Sequence, residues 1–178
     1  VKVAAAALGC PVVQPASLRD EAVLQTLKTA EADFFIVVAF GHLLRESVLN
    51  MPRLGCINVH ASLLPKYRGP APIHWAVING ERETGLTIFW VDEGIDTGDI
   101  LLQKKVEIGP NETTGELYFN KLYQLGVEAC LEAVALIAQG KAPRIPQDHS
   151  LGTYDPPCDE KVAALNWNQP GRQVFNFI

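Results

Sequence analysis

Long apolar runs are missing from this 178-residue sequence. The longest is the seven residues from Phe34 to Phe40, far short of the ~20 that a membrane-spanning helix requires, so a soluble domain is expected. Positive charge is also short: 15 Lys and Arg stand against 20 Asp and Glu, a net charge of −5. That balance argues against a broad electrostatic footprint for nucleic acid and leaves room only for a local basic patch. The four cysteines, Cys10, Cys56, Cys130 and Cys158, form no CxxC pair and no metal-ligand spacing, a pattern that favours free thiols in a reducing, cytoplasmic compartment. No G-x-S-x-G elbow, Walker loop or G-x-G-x-x-G occurs, so covalent serine chemistry and nucleotide cradles lose their usual signatures. The acidic residues Asp92, Glu93, Asp96 and Asp99 lack the spacing of a calcium loop, and no metal is expected.

What is present is the composition of one globular domain, 48% hydrophobic and 20% charged. At this length roughly 70% of the unfolded surface can be buried in a single core. Ser17, followed by Arg19-Asp20-Glu21, reads as a helix start with acids in the first turn, and Val23, Leu24 and Leu27 give the apolar face of a helix ending near Ala30. The continuous apolarity of Phe34–Phe40 suits a strand covered on both faces. A short helix follows around Leu44 to Leu49, then a strand from Cys56 to His60 and a helix from Ala71 to Asn79 behind two prolines. Gly85–Asp92 and Asp99–Glu107 read as strands, and Thr113–Gln139 as the longest helix, with Leu122, Leu125, Ala129, Ala133, Leu136 and Ile137 on one face. Arg172–Ile178 is a short amphipathic piece. The alternation predicts an α/β fold, a Rossmann-like open sheet, mostly parallel, with helices on both faces. Its ligand site is expected outside the carboxyl ends of strands.

Asn58 and His60 lie two apart on a strand and therefore project from the same face, roughly 6.6 Å apart at Cα. Two polar groups so placed can touch one small substrate group, or merely form the polar face of a strand that meets a loop. Asp96 sits between Gly94 and Gly98, where an aspartate either orients a histidine and favours its charged form or caps a turn. Cys56 shares the His60 strand face, but four residues of strand separate the two by about 13 Å, too far for a nucleophile and its base. The basic loop Lys66-Tyr67-Arg68-Gly69 either meets an anionic substrate tail or is solvated. Trp75, Trp90, Phe89 and Phe40 read as core residues.

The segment GCINVHASLLPKYRGPAPIHWAVING (Gly55 to Gly80) resembles the signature of the folate-dependent formyltransferases, above all those acting on methionyl-tRNA. VDEGIDTGDILLQ (Val91 to Gln103) resembles the second signature of that family, and PVVQPASLRD and DFFIVVAFGHLL upstream are similar to it as well. The resemblance implies the formyltransferase fold and places the catalytic asparagine, histidine and aspartate on Asn58, His60 and Asp96. It implies folate contacts from Phe40, Gly41, His42, Leu43 and Leu44, from Ser62, Leu63, Leu64 and Pro65, and from Val91, Asp92, Glu93, Gly94 and Ile95. The implied donor is 10-formyltetrahydrofolate, with no metal, and the implied acceptor is the amino group of initiator methionyl-tRNA. Nothing in the sequence fixes an oligomeric state.

The resemblance also implies a strand, a helix and a strand ahead of Val1 and a barrel domain after Ile178. The expected layout is an incomplete catalytic domain over residues 1–142 and a linker over 143–178 toward an absent C-terminal domain. LTIFWVDEGIDTGDILLQ and QGKAPRIPQ are similar, too, to the hydrolase domain of formyltetrahydrofolate dehydrogenase. The alternative readings are therefore a hydrolase that passes the formyl group to water, transfer to another amine such as an amino sugar, and a non-catalytic folate-binding module. Asn58 points to a transferase, because that hydrolase domain resembles this segment without the asparagine. Only Lys66 and Arg68 form a basic pair near the site, so most of a tRNA-binding surface is expected outside this chain.

Overall fold

Four strands form one open sheet in the order β1 (Phe35–Val38), β2 (Cys56–His60), β3 (Glu83–Trp90) and β4 (Ile100–Glu107). The structure, a computed structural model, describes residues 1–178. Only β1 and β2 run parallel; β2–β3 and β3–β4 are antiparallel. The sheet is open as expected but mixed rather than mostly parallel. The nine residues between β3 and β4 are too few for the crossover of a dozen or more that parallel neighbours need, so the chain returns as a hairpin. Between β2 and β3 lies only the seven-residue helix α4 (Pro72–Ile78), which packs at the Leu86 end of the sheet and does not cross it.

The remaining helices are α1 (Lys2–Ala7), α2 (Glu21–Thr29), α3 (Glu46–Leu49), α5 (Thr114–Leu117), α6 (Tyr123–Ala138) and α7 (Gly171–Phe177). Asp20, rather than the expected Ser17, starts α2 by accepting the Ala22 N–H, while Ser17 accepts the Arg19 N–H in the turn ahead of it. Thr113 and Glu116 close a reciprocal capping box on α5. Between α5 and α6, Tyr118–Leu122 forms a π-helical turn. The wider turn brings Leu117 and Leu122, five residues apart, to the same buried face. The expected single helix is thus one rod with a change of phase.

The two faces of the sheet differ in chemistry. On one, Ile57, Ile88, Trp90 and Leu101 pack against Ala129, Ala133 and Ile137 of α6. These three helix residues are spaced by four and make the core-facing stripe. The other face carries Asn58, His60, Thr87 and Phe89, which follow from the two-residue alternation and the pairing Asn58 with Phe89 and His60 with Thr87. Helix α3 lies on this second face beside Cys56, whose thiol donates to the Leu49 carbonyl at 3.7 Å. Burial pushes that thiol up to about 11, so Cys56 is an inert core group. Helices therefore do flank both faces. Strand β1 is the sheet's edge, and the outer side chains Ile36 and Val38 are 43% and 60% exposed. The apolar run predicted to be covered on both faces is covered on one, because α6 packs over β3 and β4 and leaves β1 outside its reach.

Candidate active site

His60 ends β2 and is buried, with Phe89 edge-on below it at 6.3 Å between ring centroids. Its Nε2 lies 2.8 Å from the Tyr67 carbonyl. A carbonyl only accepts, so Nε2 carries a proton and donates. The ring's other nitrogen, Nδ1, faces Asp96 Oδ2 at 3.7 Å. Both partners come from loops. Tyr67 and Asp96 each adopt a positive φ, +60° and +54°, which costs about 1–2 kcal/mol for a non-glycine residue and needs support from neighbours. Asp96 receives part of it from the Gly69 N–H, which donates to Oδ2 at 2.8 Å. Loop 67–69 therefore holds the histidine with one carbonyl and the aspartate with one N–H.

Asn58 completes the group. It is half-buried on the same strand face as His60, and its side-chain amide makes no hydrogen bond within the chain. Its N–H donors are open to an incoming acceptor. The loop after β3 starts beside the opposite end of β2, where Val91 N–H donates to the Cys56 carbonyl, and reaches His60 by Asp96. It thus runs the length of the strand that carries Asn58. Gly98 lets this loop close against the sheet, since a Cβ there would collide with the Trp90 carbonyl.

The predicted folate-contacting segments fall into two kinds. Phe40, Gly41, His42 and Leu43 are exposed at the carboxyl end of β1, and Leu44 is half-buried behind them. Asp92, Glu93, Gly94 and Ile95 are exposed and Val91 half-buried, with Asp92 accepting from Gly94 N–H and Thr97 Oγ1 to shape its own turn. Ser62 and Leu64, by contrast, are buried. The Ser62 hydroxyl donates to the Lys66 carbonyl, while Leu63 and Pro65 stay half-buried. Below this turn Thr87 Oγ1 donates to the Ser62 carbonyl and accepts from Leu64 N–H and from Gln103 Nε2. The side chains of Ser62 and Leu64 fasten the turn and face inward.

The two cations of the basic loop differ. Lys66 is exposed and pairs with Glu81 at the surface, in keeping with the solvated reading, whereas Arg68 donates to Gln147 Oε1 and to His149 Nδ1 and is engaged within the fold. Tyr67 is buried, its phenol donates to Glu81 at 2.7 Å, and burial with that acceptor pushes the phenol up to about 12. Trp90 and Phe89 are core residues as expected, while Phe40 is exposed. Sequence reasoning gave no role to Thr87, Gln103 and Gln147, although they lie inside segments quoted for the resemblance, nor to Glu81 and Thr153, which lie outside them.

Residues 1–134 match the family described as Formyl transferase. The chain belongs to the formyl transferase family. Among curated relatives, this formyl transferase chain is 45% identical over 178 residues to the methionyl-tRNA formyltransferase of Moorella thermoacetica, covering all of this chain and 57% of that protein. It is 50% identical to that of a Synechococcus strain, covering 99% of this chain and 55% of the relative. The chain therefore spans little more than half the length of these relatives. The formyl transferase fold is shared with a crystal structure of an N-formyltransferase from Helicobacter canadensis in complex with folinic acid and dTDP-3-aminofucose. That match has a TM-score of 0.77 and 24% identity, and covers 98% of this chain and 61% of the other.

Proposed function

We propose that the polypeptide carrying this chain transfers a formyl group from 10-formyltetrahydrofolate to the amino group of methionyl-tRNA. The observation that carries this reading is the open Asn58 amide beside the His60–Asp96 pair, in a chain 43–50% identical to methionyl-tRNA formyltransferases. The acceptor amine attacks the formyl carbon, and the Asn58 N–H donates to the oxyanion that develops. His60, fixed through Nε2, presents Nδ1 to the same space, and a proton there is shared between the oxyanion and Asp96. A water passes the amine's proton to N10 of the folate as the carbon–N10 bond breaks, so tetrahydrofolate leaves neutral at that nitrogen. The pterin is held mainly by backbone groups of Phe40–Leu44 and Val91–Ile95, because these exposed segments offer few other polar atoms. Leu63 and Pro65 add apolar contact from the third segment.

Assay of formyl transfer to methionyl-tRNA, to an amino sugar and to water (as formate) tests the reading. Transfer to methionyl-tRNA is expected to dominate; dominant formate release would replace it with the hydrolase. Asn58→Ala is expected to lower kcat about 10²–10³-fold, the usual loss when one oxyanion donor is removed. With a net charge of −5 and Arg68 engaged by Gln147, most cations for the tRNA phosphates are expected outside this chain, so this chain by itself is expected to bind tRNA weakly.

A further inference from the structure

Residues 143–156 contain only the short turn His149–Leu151, yet they touch both loops of the candidate site. Ile145 bridges Ile100 at the start of β4, and Tyr154 bridges Arg68. Thr153 accepts the Tyr67 N–H on its hydroxyl, 2.7 Å away, and the Arg68 N–H on its carbonyl. Trp75 and Trp90 anchor the segment's two ends by donating to the carbonyls of Pro156 and Pro143. The stretch read as connector is a strap across the site.

At its centre Gln147 is 6% exposed and has both polar atoms of its side chain engaged. Its Nε2 donates to the Asp96 carbonyl at 2.9 Å and to the Gly98 carbonyl at 2.7 Å, while its Oε1 accepts from Arg68 Nη2 at 2.8 Å. The amide cannot flip, because Arg68 only donates and the carbonyls only accept. One NH2 group thus clips both ends of the three-residue arc that displays the Asp96 carboxylate. The ring closes through Arg68 and its neighbour Gly69, whose N–H holds the carboxylate itself. Arg68 reaches this position with its Nε buried and unpartnered, an arrangement that makes sense if the guanidinium serves to orient Gln147.

We propose that Gln147 is a positioning residue: it fixes the left-handed backbone at Asp96 and so sets where that carboxylate meets His60. The proposal rests on the reaction read above for Asn58, His60 and Asp96. A displacement of about 1 Å at a reacting group can cost 10²-fold in rate, so Gln147→Ala is expected to lower kcat about 10- to 100-fold, with KM for the folate donor within about twofold. Gln147→Glu keeps the size and the acceptor for Arg68 but loses both N–H donors. It is expected to lose as much as the alanine variant, and it carries the test should Gln147→Ala fail to fold. Gln124→Ala, on the exposed side of α6, is the control. The second readout is the ¹³C titration of the Asp96 carboxylate and the ring ¹⁵N shifts of His60 in the unliganded chain, which need no turnover. Both should move in the Gln147 variants while the amide spectrum of the sheet stays in place. An unmoved Asp96 titration in folded variants, or a kcat within twofold of the parent, overturns the proposal. If the unsubstituted protein transfers no formyl group, the reaction assigned above falls, and the titration alone decides whether Gln147 sets the Asp96–His60 pair.

Discussion

Strands β1 and β3 are made of similar residues and live in opposite environments. FIVV of β1 has two outward side chains in solvent, and in the first fifty residues only Val48 is buried. In β3 every residue from Thr84 to Trp90 is buried, the polar Thr84 and Thr87 included. A polar threonine thus sits deeper than an isoleucine two strands away. Burial here follows from neighbours: β3 has a strand on each side, α6 on one face and the Ser62–Pro65 turn on the other, whereas β1 has one strand. The lesson is that the candidate site is built where polar groups are enclosed and cross-tied. The apolar edge contributes little to holding it.

The contrast can be broken from the β3 side first. Ile88→Ala is expected to destabilise by about 2–5 kcal/mol in denaturant unfolding, since the site is enclosed on all sides and the cavity cannot collapse. Thr87→Val keeps the shape but strands two donors, Leu64 N–H and Gln103 Nε2, and should cost about 2–3 kcal/mol. It should also loosen the 62–65 turn, seen as faster amide exchange at Leu64. Glu81 gives a smaller, pH-dependent effect. The Tyr67 phenol, joined by Lys66, holds its carboxyl below the usual 4.5. A lowered folded value means the stabilisation is complete above pH 4.5 and fades as the pH falls through that value. Glu81→Gln should therefore fall below the parent at pH 6, by less than about 1 kcal/mol because the pair is screened, and the gap should close as the pH drops below 4.5 and through the lowered folded value. At the edge, Ile36→Thr should shift stability by no more than about 0.5 kcal/mol. A loss comparable to that of Ile88→Ala would show that β1 is enclosed in solution.

Local signals were readable wherever the cause was local. The bounds of β2 and the same-face placement of Asn58 and His60 follow from spacing, and the loop aspartate does meet the histidine, whereas α2 starts at Asp20 rather than at Ser17. Strand direction was not readable from apolarity, because a buried antiparallel strand such as β3 is as continuously apolar as a parallel one. Connection length was the better guide and was available in the sequence. The phase change at Tyr118–Leu122 hides inside an otherwise regular helical pattern. Gln147 and Thr153 act on partners 51 and 86 residues away, and no spacing rule reaches so far. Gln147 closes the quoted segment QGKAPRIPQ, yet nothing in that text says what its amide touches, and Thr153 lies in proline-rich text that looks like connector.

The strap also gives the chain a clock. A polypeptide leaves the ribosome N-terminus first, so all four strands, Asn58, His60 and Asp96 are translated by Glu107. The amide that clips the Asp96 arc arrives forty residues later, at position 147 against 107. Until then the sheet can pair, while the aspartate's backbone lacks the two bonds proposed to aim it. A nascent or stalled product ending in that interval would hold Asn58, His60 and Asp96 without the clip that Gln147 places on the Asp96 arc. The clasp is thus the last part of the proposed site to be synthesised.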